Sequence, residues 1–142
     1  MPESPLETTE ELPESHLCQL AQVFLENLSR LQKEVILSTK QDYLGDAIAL
    51  QKQAMQLQQQ FQKIVAAIAI TPLDVATEQR LRPYQTEAHR LLRLAGVAAM
   101  KLKAAKQPET LTKGRSQLTA QLTQLQPFAQ AIADEVCGSF ND

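Results

Sequence analysis

The chain has 142 residues, of which 44% are hydrophobic, 21% charged and 4% aromatic, with a formal net charge of −2. That length suits one domain, and the charge excludes a strongly basic nucleic-acid binder of the histone type while leaving room for a local basic patch. With four Gly and no Trp, turns are few and no large aromatic anchors a core.

Residues 1–13 hold Glu3, Glu7, Glu10 and Glu11, three prolines and no base. They read as a disordered acidic arm, and residues 14–142 as a single four-helix bundle domain. The arm has no basic and apolar regions in the order of a secretory signal. The longest strongly apolar run, Ile64 to Ile70, is far below the ~18 residues of a spanning helix. A soluble, cytoplasmic chain with no membrane insertion is therefore expected. From Glu14 onward there are 14 bases against 12 acids, so the folded part is mildly basic.

The rest of the sequence repeats one signal, apolar residues at alternating steps of three and four. The first run is Leu17, Leu20, Phe24, Leu28, Leu31 and Val35. The second is Ala47, Leu50, Ala54, Leu57, Phe61, Ile64 and Ile68. The third is Tyr84, Ala88, Leu91, Ala95, Ala98, Leu102 and Ala105. The fourth is Leu111, then Leu118, Leu122, Leu125, Ala129, Ile132 and Val136. This is the 3.5-residue period of bundle seams, and no stretch alternates with the period of a strand. The spacing predicts an all-α fold: an elongated, left-handed, antiparallel four-helix bundle with coiled-coil-like heptad packing.

The boundaries have chemical reasons. Glu14-Ser15 opens the first helix after Pro13. Residues 39–45 separate the first two runs, with Asp42 or Asp46 as N-cap. Thr71-Pro72 reads as a cap followed by proline at the first helical position. Gln107-Pro108 ends the third helix, and Thr110 or Thr112 caps the fourth. Gly138 stands where a left-handed residue commonly follows a helix. Pro83 and Pro127 fall inside helical patterns, so a kink or break is expected at both, with 72–82 as an alternative separate short helix.

The third seam is built of small residues, Ala88, Ala95, Ala98 and Ala105, with Gly96 alongside. Phe24 and Phe61 on the first two helices bring the bulk, and large facing small is how such cores interdigitate. The many glutamines, including Gln58-Gln59-Gln60, suit solvated helix faces.

Little of this composition supports catalysis. Di-iron bundles need Glu-x-x-His pairs, and neither His16 nor His89 has a Glu three residues before it. No Gly-rich phosphate loop and no Ser/His/Asp arrangement is present. No enzyme activity, metal or cofactor is expected. Cys18 and Cys137 make neither a zinc site nor a small disulfide scaffold. An up-down-up-down order brings the start of the first helix and the end of the last to one end. A Cys18–Cys137 bridge is thus open on geometry, but the preferred reading is two small thiols in a reducing cytosol.

Two surface features carry functional readings. His89 falls about 130° from the centre of the third seam, beside Arg90 and Arg93. An exposed His on a four-helix bundle is the geometry of a phosphotransfer domain. Those domains place Lys-Gly at the third and fourth positions after the His; here Leu92 and bulky Arg93 stand there. The ordinary reading is a surface histidine. The second feature is basic: Arg82, Arg90, Arg93 and Lys101 fall within ~100° of arc, nearly opposite the seam. Lys103, Lys106, Lys113 and Arg115 continue it, giving nine bases and two acids between Arg80 and Arg115. A solvated face explains this, and so does a docking face for an acidic partner segment. Nucleic acid is disfavoured, because no aromatics interleave to stack bases. Apolar residues beside the first seam, Val23, Leu25, Ile36 and Leu37, either widen its buried stripe or allow homo-oligomerisation.

The segment Tyr84-Gln85-Thr86-Glu87-Ala88-His89-Arg90-Leu91-Leu92-Arg93-Leu94-Ala95-Gly96-Val97 continues through Met100 to Ala104-Ala105-Lys106-Gln107-Pro108-Glu109-Thr110. It resembles the PatD family of cyanobacteria, named for heterocyst frequency control. The shared features are a Tyr-Gln-Thr-Glu opening, an Arg-Leu-(Ala/Leu)-Gly centre, a later Met and an Ala-(Ala)-(Lys/Arg)-Gln-Pro-x-Thr close. The resemblance implies a small helical cytoplasmic protein of cell division and heterocyst patterning that interacts with the tubulin-like division protein FtsZ. It implies no catalytic residues.

Overall fold

A computed structural model of the chain describes residues 13–38 and 44–138. Four helices follow in chain order: α1 Pro13–Ser38, α2 Leu44–Ile70, α3 Val75–Ala104 and α4 Pro108–Gly138. At 26 to 31 residues each, they rise about 39–46 Å. There is no strand among the described residues. Each helix packs on two neighbours: α1 on α2 and α4, α3 on α2 and α4, with no close approach across either diagonal. The result is an antiparallel four-helix bundle with a square cross-section.

The core follows the heptads. Every residue of the second predicted run, from Ala47 to Ile68, is buried. In α1 the seam passes through Ala21 rather than Leu20, which is half-buried. The steps 17, 21, 24, 28, 31 and 35 then alternate four and three without fault. Phe24 and Phe61 meet across α1 and α2 with ring centroids 5.8 Å apart. In α3 the buried set is Thr77, Leu81, Ala88, Leu91, Leu92, Ala95, Ala98, Ala99 and Leu102. Tyr84 is only half-buried and its ring meets Phe128 of α4 at a tilt of 46°, with centroids 6.4 Å apart. Leu25 also packs against the core and so widens the buried stripe of α1 rather than serving self-association.

Several predicted boundaries move. Pro13 itself opens α1, at the position where a missing N–H costs nothing. The acidic arm otherwise lies outside the described residues, as does Asp42. Asp46 is not an N-cap but sits inside α2. Thr71 does not cap α3; its hydroxyl donates to the Ala67 carbonyl at 2.6 Å and so closes α2. The cap of α3 is Asp74, whose Oδ1 accepts from the Thr77 N–H at 2.7 Å. Pro108 opens α4 rather than ending α3, with the Leu111 N–H bonded to the Gln107 carbonyl at 3.1 Å, so neither Thr110 nor Thr112 is the cap. Gly138 is the last residue of α4, with right-handed backbone.

Both internal prolines sit inside continuous helices, so 72–82 is not a separate helix. The reason is placement. Pro83 and Pro127 are exposed, as are Gln79 and Thr123, whose carbonyls lose a partner. Those positions are open to solvent, which can take up the missing bond.

The two cysteines are joined, which corrects the reading as free thiols. Cys18 and Cys137 lie with Cα atoms 4.8 Å apart and form a disulfide across 119 residues. Packing of α1 on α4 brings their half-buried positions face to face at one end of the bundle. That separation lies within the range a disulfide spans without backbone movement.

Two glycines mark where α3 is approached most closely. A Cβ on Gly96 would stand 2.7 Å from the amide nitrogen of Gln58, which donates to the Leu92 carbonyl at 3.1 Å. A Cβ on Gly114 of α4 would stand 2.9 Å from Cδ2 and 3.1 Å from Cγ of buried Leu102. The two should respond differently to alanine, which gains about 1 kcal/mol of helix propensity. In Gly96→Ala the Gln58 end swings aside and loses about 1 kcal/mol of hydrogen bond, leaving the urea midpoint nearly unchanged. In Gly114→Ala the branched Leu102 cannot retreat, and overpacking of about 1–3 kcal/mol wins. A Gly114→Ala chain more stable than the parent would contradict this packing.

The Asp74 cap has a pH signature. Hydrogen bonds from the Thr77 backbone and then its hydroxyl hold the Asp74 carboxyl below the usual carboxylate range, assisted by the Arg80 charge. A lowered folded pKa contributes stability above the unfolded pKa, and that stability is lost as pH falls through the folded value. Asp74→Asn keeps a cap oxygen but cannot titrate. Thermal melts of that variant should show a shallower loss of stability on acidification below about pH 4 than the parent.

Candidate functional site

The site is built from the outer face of α3. Helical periodicity puts Ala88, Leu91, Ala95, Ala98 and Leu102 inward, and these are buried. The opposite side must then carry Arg82, Arg90, Arg93 and Lys101, and all four are exposed. The predicted stripe is therefore one continuous surface. Its cations are not equally free. Arg90 donates through Nη2 at 2.9 Å and Nε at 3.2 Å to Glu87 one turn earlier. Arg82, Arg93 and Lys101 make no ion pair among the described residues. Arg80 is engaged elsewhere: its Nε lies 2.9 Å from both carboxylate oxygens of Glu135, tying α3 to α4.

The continuation of the stripe is corrected at one residue. Lys103, Lys106 and Lys113 are exposed, but Arg115 is only 3% exposed. The fourth run skips from Leu111 to Leu118, and the heptad phase puts positions 114 and 115 in the missing core step. Gly114 and Arg115 fill it. Arg115 lines a cavity of about 400 Å³ with Ile36, Thr112, Ser116, Thr119 and Ala120, between the end of α1 and the start of α4. The gap in the run was the available signal; a Gly-Arg pair is not the apolar chemistry that a search for seams looks for.

His89 is exposed, on the side of α3 that faces α2. It lines a groove of about 240 Å³ with Gln58, Phe61, Gln62, Leu92 and Arg93. The groove continues past Val65, Gln85 and Thr86. Leu92, three residues after His89, is buried, and Arg93 stands at the groove beside the imidazole. No carboxylate lines this groove, so the surroundings are amide, hydroxyl and guanidinium donors with an apolar floor.

Among the described residues no group of three or more His, Cys, Asp or Glu is placed to hold a metal. No described helix is long and apolar enough to cross a membrane. Sequence reasoning missed that the stripe contains exposed apolar side chains. Leu94 is 39% exposed, Val97 49% and Met100 58%, between the very cations it identified. Compared with protein-family models, curated proteins and solved structures, the chain matches none.

The burial of Arg115 separates two kinds of cation. Arg115→Ala should destabilise the chain by about 1–3 kcal/mol, through lost packing of the stem and the polar groups left around it. Arg93→Ala on the surface should change stability by less than about 0.5 kcal/mol. Chemical denaturation of both variants checks this; equal effects would contradict the placement of Arg115.

Proposed function

We propose that this chain is a non-enzymatic, cytoplasmic regulator of cell division and heterocyst frequency that binds FtsZ and modulates its assembly. The observation that carries the reading is the exposed row Arg82, Arg90, Arg93 and Lys101 on one face of a packed helix. Three of its four members, Arg90, Arg93 and Lys101, fall in the segment whose sequence resembles the PatD family. Physically, a bundle holds the row at fixed spacing, so an acidic partner surface meets cations that are already arranged. Lys103 and Lys106 extend the positive field toward the α3–α4 turn and would steer an acidic partner toward the row. A reducing cytosol would open the Cys18–Cys137 disulfide; the buried apolar core, drawn from all four helices, includes neither cysteine.

The experiment is co-sedimentation and light scattering of purified chain with purified FtsZ and GTP, at low and moderate salt. Saturable binding that weakens with salt is expected. Charge reversal at Arg90 and Arg93 together should weaken it and flatten the salt dependence. No interaction at micromolar concentrations would remove FtsZ as the partner, and unchanged affinity of the reversed variant at low salt would remove the row.

A second reading rests on the exposure of His89 beside Arg93: a His-containing phosphotransfer bundle, in which the guanidinium would stabilise a phosphohistidine. Incubation with a small phosphodonor should then give acid-labile, base-stable label that is lost in His89→Gln. Label retained in that variant, or none in the parent, ends this reading.

A further inference from the structure

The outer face of α3 is not simply basic. Leu94, Val97 and Met100 stand exposed in the middle of it, and none contributes to the core. On a helix, positions 90, 94, 97 and 101 form one ridge, and 93, 97 and 100 the ridge beside it. The first ridge is therefore Arg90, Leu94, Val97, Lys101, and the second is Arg93, Val97, Met100. Both are apolar in the middle. Cations bracket them, two at the Arg90 end and one at the Lys101 end. From Arg90 to Lys101 the face runs about 16 Å, or three turns.

We propose that Leu94, Val97 and Met100, bracketed by Arg90, Arg93 and Lys101, form a docking ridge for an acidic amphipathic helix of a protein partner. The proposal rests on the reading of this row as a partner-binding face, but not on the identity of FtsZ.

Charge complementarity chooses the occupant. The apolar centre gains by leaving water, at about 25 cal/mol per Å². The flanks repel any surface that carries cations opposite Arg93 and Lys101. A second copy of this face is therefore disfavoured, since either orientation opposes Arg or Lys to Arg or Lys. A segment with apolar residues at steps of three and four and carboxylates on either side satisfies both requirements. Shape chooses a helix over a strand. The face is a convex helix surface with ridges three and four residues apart, into which a second helix packs at about 8–10 Å, and the described residues offer no sheet edge for strand addition. An anionic membrane shares the charge, but no Trp, Tyr or Phe lies on this face to enter the headgroup layer. The Arg90–Glu87 pair holds one guanidinium to its own helix, so Arg93 and Lys101 are the cations of this ridge with no competing carboxylate among the described residues.

The test is an NMR titration of the full isotopically labelled chain with three designed helical peptides of about 18 residues. The first has a Leu/Met stripe flanked by Glu. The second replaces the stripe with Ser, and the third replaces Glu with Lys. Anionic phosphatidylglycerol vesicles are the fourth arm. The expected result is amide shifts confined to the neighbourhood of residues 90–101, with the first peptide binding at least about tenfold more tightly than either control. The double variant Val97→Ser/Met100→Ser, still fully helical by circular dichroism, should lose about tenfold in affinity. Equal binding of the Ser peptide, shifts elsewhere on the bundle, no binding, or a preference for vesicles would each overturn the proposal. The two readings fail separately. Absence of FtsZ binding leaves the peptide result intact, whereas undiminished FtsZ binding by the double variant removes the ridge and keeps the partner.

Discussion

The packing of α3 against both of its neighbours is the constraint on which the rest of the molecule depends. Its inner face is Ala88, Ala95, Ala98 and Ala99 between Leu81, Leu91, Leu92 and Leu102. Alanine brings no side-chain entropy to lose and little volume to clear, so partner helices come close enough for single atoms to matter. On the α2 side the Gln58 amide lies over Gly96 and bonds the Leu92 carbonyl. On the α4 side Leu102 fills the space that Gly114 leaves empty. With the interior of α3 committed in this way, its outer residues are carried on a helix that cannot roll. Rolling by one residue, about 100°, would bury Arg93 and expose Leu91 in one direction, or bury Arg90 and Lys101 and expose Leu92 in the other.

The covalent link between the chain's ends acts on a different quantity. Joining Cys18 to Cys137 closes a loop of 119 residues, and the chain-entropy account assigns about 4–5 kcal/mol to a loop of that order. That stabilisation comes from restricting the unfolded chain, not from packing. α1 and α4 pack on each other, and both feed the buried core, Leu17 and Ala21 from α1 and Leu122, Leu125, Ala129, Ile132 and Val136 from α4. The link therefore reinforces a closed ring of helices that the core already defines.

How far the sequence discloses this depends on whether a feature is periodic. α2 is legible to the residue, because its run keeps one phase from Ala47 to Ile68. In α1 a leucine at position 20 masks the regular phase through Ala21; hydrophobicity favours the larger residue, whereas geometry selects the one at the right angle. Features set by a single contact were not legible. Thr71 and Asp74 are both good caps by type, and only the path of the turn decides that one closes α2 and the other opens α3. Pro83 breaks a helix in principle, yet here its lost acceptor faces water. The cysteine pairing follows from topology, but compartment reasoning argued against it. The basic row was legible because it, too, is periodic. Arg115 belongs to the core by phase although its charge places it with the row, and Leu94, Val97 and Met100 are exposed although their apolar character places them with the core.

The functional reading needs a face whose shape is fixed before a partner arrives. Arg82, Arg90, Arg93 and Lys101, with Leu94, Val97 and Met100 among them, form such a face only if α3 stays seated on α2 and α4. Native-state hydrogen exchange on the full chain, followed residue by residue with and without reductant, tests this most directly. The account predicts that the slowest amides lie in α3 between Ala88 and Leu102, exchange only by global unfolding, and keep that rank after the disulfide is reduced. Local, sub-global exchange of those amides, faster than in α1 or appearing when the disulfide opens, would contradict it.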